Sequence, residues 1–114
     1  MIKQTSPFGA IRETTKLLRN LGADPEIRFE GEPAWQDYTI SMDVRKQFDY
    51  ATGEDGYTVW IHLNPKGFDI LSDILKDKVE VTTYRLSNEY MQHNIELRAG
   101  FKIFKLEWIP EEER

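Results

Sequence analysis

The side chains able to do acid/base or nucleophilic work near neutral pH are few. The chain has two histidines, His62 and His93, and no cysteine. Imidazole titrates closest to neutrality and serves in most such sites, so the histidines come first. Read as strand residues, His62 shares a face with Thr58 and Trp60, opposite Val59, Ile61 and Leu63, while His93 falls with Met91, Ile95 and Leu97. The faces differ, so a shared histidine site is not expected. Either one with a nearby carboxylate would be the core of a small enzyme or ligand-binding domain. His93-Asn94-Ile95-Glu96 sets His and Glu three apart, a spacing that suits a metal on a helix. On a strand those side chains point opposite ways. No metal and no cofactor is therefore expected.

The other routes to chemistry close quickly. Ser6, Ser41, Ser72 and Ser87 are the candidate serine nucleophiles, and none sits in a G-x-S-x-G elbow. Gly53-Glu54-Asp55-Gly56 and Gly31-Glu32 place acids where a phosphate cradle needs backbone donors and cations. No GxGxxG or Walker sequence occurs. No catalytic residue is assigned, and the reading is of a protein that is not an enzyme.

The elements that must position these residues follow from periodicity and caps. Ser6-Pro7 starts a helix whose apolar stripe is Phe8, Ile11, Leu18 and Leu21, and Gly22 stops it, giving a helix over about 7–21. Residues 26–30 alternate as a short strand would. From Tyr38 to Tyr50 the apolar residues Ile40, Met42, Val44 and Phe48 alternate with polar ones, which predicts a long strand with one dry and one wet face. Thr52 to Gly56 reads as its turn, and Tyr57, Val59, Ile61 and Leu63 as the returning strand of a hairpin. Asn64-Pro65 opens a second helix to about Lys76. Strands then follow over Val79 to Leu86, Tyr90 to Leu97 and Phe101 to Trp108, with a charged end from Pro110 to Arg114. The order, a helix and three strands twice over, invites a duplication, but no residue-level self-similarity supports one. The expected fold is a single α+β domain over 1–114, with a mostly antiparallel sheet of five to six strands and two helices on one face.

Charge narrows the partners. The chain of 114 residues is 31% charged, with a net charge of −5 shared almost evenly by its halves. Aromatic content of 12% argues for a packed core. The longest aliphatic or aromatic run is Val59-Trp60-Ile61, so neither a signal peptide nor a membrane span is expected, and a cytoplasmic location is. Arg12, Lys16 and Arg19 form a basic stripe on the first helix, and Asp69, Asp73 and Asp77 an acidic one on the second. Such stripes ordinarily form solvated outer faces. They could also face each other, or the acids could meet a basic protein surface. Sheet aromatics Tyr57 and Trp60 near Arg45 and Lys46 would suit base stacking, but the negative charge argues against nucleic acid as a ligand.

The composite expectation is a small acidic binding protein that occupies or inhibits a surface of another macromolecule, of the immunity-protein or viral anti-host kind. Its partner-binding residues are Glu54, Asp55, Tyr57, Trp60, Asp69, Asp73 and Asp77, with Trp35 as a possible second anchor. A homo-oligomer formed through the open sheet face or an edge such as the last strand is a further possibility.

Overall fold

The computed structural model describes residues 1–26 and 33–114. Apart from Glu26, the short strand expected over 26–30 lies outside the described residues. Helix α1 spans Pro7–Asn20, and Ser6 Oγ accepts from Gly9 N at 3.1 Å to cap it. Its C-terminus closes with Gly22 at φ +81° and Ala23 N donating to Leu18 O at 2.8 Å. A single 3₁₀ turn, Trp35–Tyr38, leads into strand β1, Thr39–Asp49, which pairs antiparallel with β2, Glu54–Leu63. Asn64 caps α2, Pro65–Leu75, in the same way, its Oδ1 accepting from Gly67 N at 2.9 Å. Strands β3 (Val81–Arg85), β4 (Tyr90–Arg98) and β5 (Phe101–Trp108) complete the sheet.

The chain is thus an α+β domain, but its strand order, β1-β2-β5-β4-β3, departs from the simple meander. The last strand is not an edge. It lies in the middle, parallel to β2 and antiparallel to β4. The physical reason is visible in its side chains: β5 is apolar on both faces, with Phe101 and Ile103 on one and Phe104 and Leu106 on the other, as a central strand requires. The edges among the described residues are β1 and β3.

Register defines the two faces. Val59 opposes Phe101, Ile61 opposes Ile103, and Ile103 opposes Ile95. These residues are at most 8% exposed and meet Ala10 and Leu18 of α1 and Phe68, Leu71 and Leu75 of α2 in one core. Both helices therefore cover this face. Trp35, weighed as an exposed anchor, is instead 4% exposed, its indole Nε1 donating to Ala23 O at 3.1 Å.

The dry face expected for β1 is not dry. Ile40 is 59% exposed, Met42 49%, Phe48 48% and Tyr50 90%. Alternation is correct, with Met42 opposite Ile61 and Val44 opposite Val59. The core is centred over β2 and β5, and the outer strand projects beyond it.

The start of the chain finishes the sheet. Ile2 N donates to Tyr57 O at 2.8 Å and Tyr57 N to Ile2 O at 2.7 Å, filling the edge of β2 that β5 leaves unpaired. Gly100 makes room for it: at φ +89°, a Cβ there would lie 2.7 Å from Met1 Cα. Ile2 itself is fully buried. Ile2→Ala is expected to cost about 2–5 kcal/mol in chemical denaturation. Tyr50→Ala, at an exposed position, should stay within ~0.5 kcal/mol of the parent. Equal midpoints for the two variants would contradict this packing.

Candidate functional site

Alternation sends every second residue of each strand away from the helices, onto a face that no described element covers. On β2 this puts Trp60 and His62 outward. On β5 the neighbours are Lys102, Phe104, Leu106 and Trp108, and on β4 they are Tyr90, Gln92, Asn94 and Glu96. A continuous apolar ridge results. His62 stacks on Phe104 with ring centroids 4.7 Å apart and planes at 6°. Trp60 is 45% exposed, and Lys102 Nζ stands 5.0 Å from its ring centroid. Trp108 meets Tyr90 edge to face at 4.9 Å and carries the Arg114 guanidinium 4.2 Å above its ring. Tyr84, opposite Gln92 on β3, is half exposed at the far side.

Between the ridge and β3 lies a buried amide pair. Gln92 Nε2 donates to Asn94 Oδ1 at 2.7 Å, and the two are 7% and 3% exposed. Asn94 Nδ2 has no acceptor among the described residues. A buried donor left unmet costs about 1–3 kcal/mol. Near the other end, Trp60, Lys102, Glu96, Thr58 and Gln47 line a shallow cleft of about 280 Å³.

Charge on this face is balanced. Asp43 pairs with Arg45 at 2.6 Å, and Glu96 sits opposite Lys102 in the register. Of the acids singled out from sequence, Glu54 shares the parity of Trp60 at the start of β2, whereas Asp55 has the parity of the core face and Asp69, Asp73 and Asp77 lie on the helix layer. Glu54 and Asp55 belong to β2 rather than to a turn, and pair with Lys3 at 3.0 Å and Lys46 at 3.4 Å. Asp69 reaches Lys105 at 3.2 Å, while Asp73 and Asp77 are exposed on the helix layer. Tyr57 is 6% exposed and belongs to the core, on the Val59 face. The seven expected partner-binding residues therefore divide, with Trp60 on one side of the sheet and Asp69, Asp73 and Asp77 on the other. No ion pair joins α1 to α2 among the described residues. Arg19 instead pairs with Asp24 at 3.2 Å, and Arg12 and Lys16 line a groove with Glu13 and Arg98.

The histidines lie on opposite faces. On the helix side, His93 Nδ1 is 2.9 Å from Thr83 Oγ1 and its Nε2 is 2.6 Å from Glu107 Oε2. Hydroxyl, imidazole and carboxylate in one line is the order of a nucleophilic triad. Here it lies across three neighbouring strands, β3, β4 and β5. The adjacent depression, about 300 Å³, is lined by Glu107, Arg85, Met91, Trp108 and Ile109 rather than by Thr83 or His93. The sequence reading missed Thr83 and Glu107, because which strands flank β4 is a tertiary fact. Among the described residues no group of three His, Cys, Asp or Glu could hold a metal, and no helix is long and apolar enough to cross a membrane. No protein-family model matches the chain, and no curated protein or solved structure is detectably similar to it.

Burial beside Phe104 holds the His62 imidazole below its ordinary value of 6.5. The folded protein therefore takes up this proton less readily than the unfolded chain does. The associated stability is complete above about pH 6.5 and is lost as pH falls from there through the folded value. Thermal midpoints measured from pH 7.5 down to 5 should fall more for the parent than for His62→Gln. Parallel curves would contradict burial of this ring.

Proposed function

We propose that this chain is a non-enzymatic binding protein that docks a partner protein on the open face of its sheet, with Trp60 as the anchor. The observation that carries this reading is the half-exposed Trp60 beside the stacked His62 and Phe104, on a sheet face that no described element covers. Large aromatics in such a setting dominate binding energy, because they bury much area at small entropic cost. The balance of Asp43 with Arg45 and Glu96 with Lys102 favours a protein over a nucleic acid, whose phosphates call for an excess of cations. The protein acts by covering a surface of its partner. Asp69, Asp73 and Asp77, on the opposite layer, supply a field that steers a basic partner rather than contacts to it.

Retention of a purified partner should separate the two patches. Trp60→Glu is expected to weaken binding by on the order of 2 kcal/mol, about thirtyfold in Kd, with little change in thermal unfolding. Asp69→Lys combined with Asp73→Lys should lower mainly the association rate and its salt dependence. The reverse ranking would move the interface to the helix layer.

A second reading, a hydrolase with Thr83 as nucleophile, is favoured by the Thr83–His93–Glu107 line alone. The binding reading expects the parent and His93→Gln to release p-nitrophenol from activated esters at the same rate. A histidine-dependent rate that Thr83→Ala also removes would overturn it.

A further inference from the structure

The two edges of the sheet are very unequal. Strand β3 has 5 residues, whereas β1 has 11 and pairs, among the described residues, only with β2. A long edge offers a row of N–H and C=O groups as a template for another strand, and proteins ordinarily shorten or cover it. Which residues offer those groups follows from β2. Tyr57 exchanges both of its bonds with Ile2, and Val59 N donates to Gly100 O at 2.8 Å, so the odd-numbered residues of β2 turn their main chain toward β5. The even-numbered ones, Thr58, Trp60 and His62, face β1, where they meet Arg45, Asp43 and Ser41. Met42, Val44 and Lys46 are therefore left with their N–H and C=O directed outward.

We propose that this edge pairs antiparallel with the same edge of a second copy of the chain, about a two-fold axis at Val44. Main-chain geometry permits only pairings that set even residues against even ones, because those carry the free groups. Among these, side-chain chemistry selects the axis. Centred on Val44, Val44 meets itself, Met42 meets Lys46, and Asp43 of each copy meets Arg45 of the other. Centred one residue away, Asp43 or Arg45 would oppose its own copy, and like charges directly opposite are destabilising.

The selected register also uses what the free chain leaves exposed. Asp43 and Arg45 pair within one chain at 2.6 Å with side chains 45% and 73% accessible, and the dimer turns them into a ring of four alternating charges. At both ends of the seam Phe48, 48% exposed and on the helix side, comes opposite Ile40, 59% exposed, where the irregularity of β1 between Thr39 and Ser41 ends the regular register. Pairing is isologous and closes, so it forms a dimer and not a fibre. It joins two five-stranded sheets into one and sets both open faces, each with its Trp60, on the same side.

Sedimentation equilibrium of the full chain should return about twice its 13.4 kDa. Asp43→Arg and Arg45→Asp should each weaken the dimer by on the order of tenfold, and the two together should restore it, since the pairs are then exchanged rather than lost. The chain has no cysteine, so single cysteines report register directly. Val44→Cys should cross-link to its own copy on mild oxidation. Phe48→Cys, whose copies would stand eight positions apart or roughly 27 Å, should not. The cysteine variants decide the question even where a charge reversal disturbs folding. A monomeric parent, a dimer that the double reversal fails to restore, or cross-linking at Phe48 instead of Val44 would overturn the proposal.

Discussion

The parallel pairing of β5 against β2 is the constraint on which the rest of the structure depends. It aligns Val59 with Phe101 and Ile61 with Ile103 on one face, and Trp60 with Lys102 and His62 with Phe104 on the other. A slip of one residue would exchange these sets, exposing the core and burying a lysine. Because four consecutive β2 positions are matched at once, the helices have a single apolar surface to cover, and the same register leaves Trp60, His62 and Phe104 together on the other side. The chain start reinforces it, since Ile2 occupies the stretch of β2 beyond the end of β5.

This arrangement sorts charge as well as hydrophobicity. The acids of α2 stand on the helix layer, and the open face keeps near-equal numbers of each sign. A net charge of −5 therefore describes the molecule but not its aromatic surface. An acidic protein can present an almost neutral, aromatic sheet to a partner and still use its charge at longer range, where the field and not the contact determines encounter rate. On the proposed reading, contact and steering need not share a surface, since the sheet lies between Trp60 and the acids of α2.

Much of the fold was legible in the chain. Ser6-Pro7 and Asn64-Pro65 marked both helix starts, because a capping oxygen followed by a residue without an N–H suits only that position. Alternation from Tyr38 to Tyr50, broken only at Lys46, and again from Tyr57 to Leu63 marked the hairpin. Strand order was not legible from local pattern, since β5 joins β2 across the intervening α2, β3 and β4. Its apolar residues on both faces were the available sign that it is central. Alternation also told which β1 residues share a face, but not that the helices stop short of covering them. Tyr57 shares parity with Val59 and Ile61, so its burial could have been read directly, whereas the meeting of Thr83, His93 and Glu107 depends on three strands being neighbours.

On the proposed reading the Trp60 face of the sheet, and not the acidic helix layer, meets the partner. Hydroxyl-radical footprinting of the free chain and of its complex tests it most directly. Trp60 and Tyr84 are expected to lose reactivity in the complex while exposed side chains of α2 keep theirs. Protection confined to the helix layer, with Trp60 as reactive in the complex as in the free chain, would contradict it.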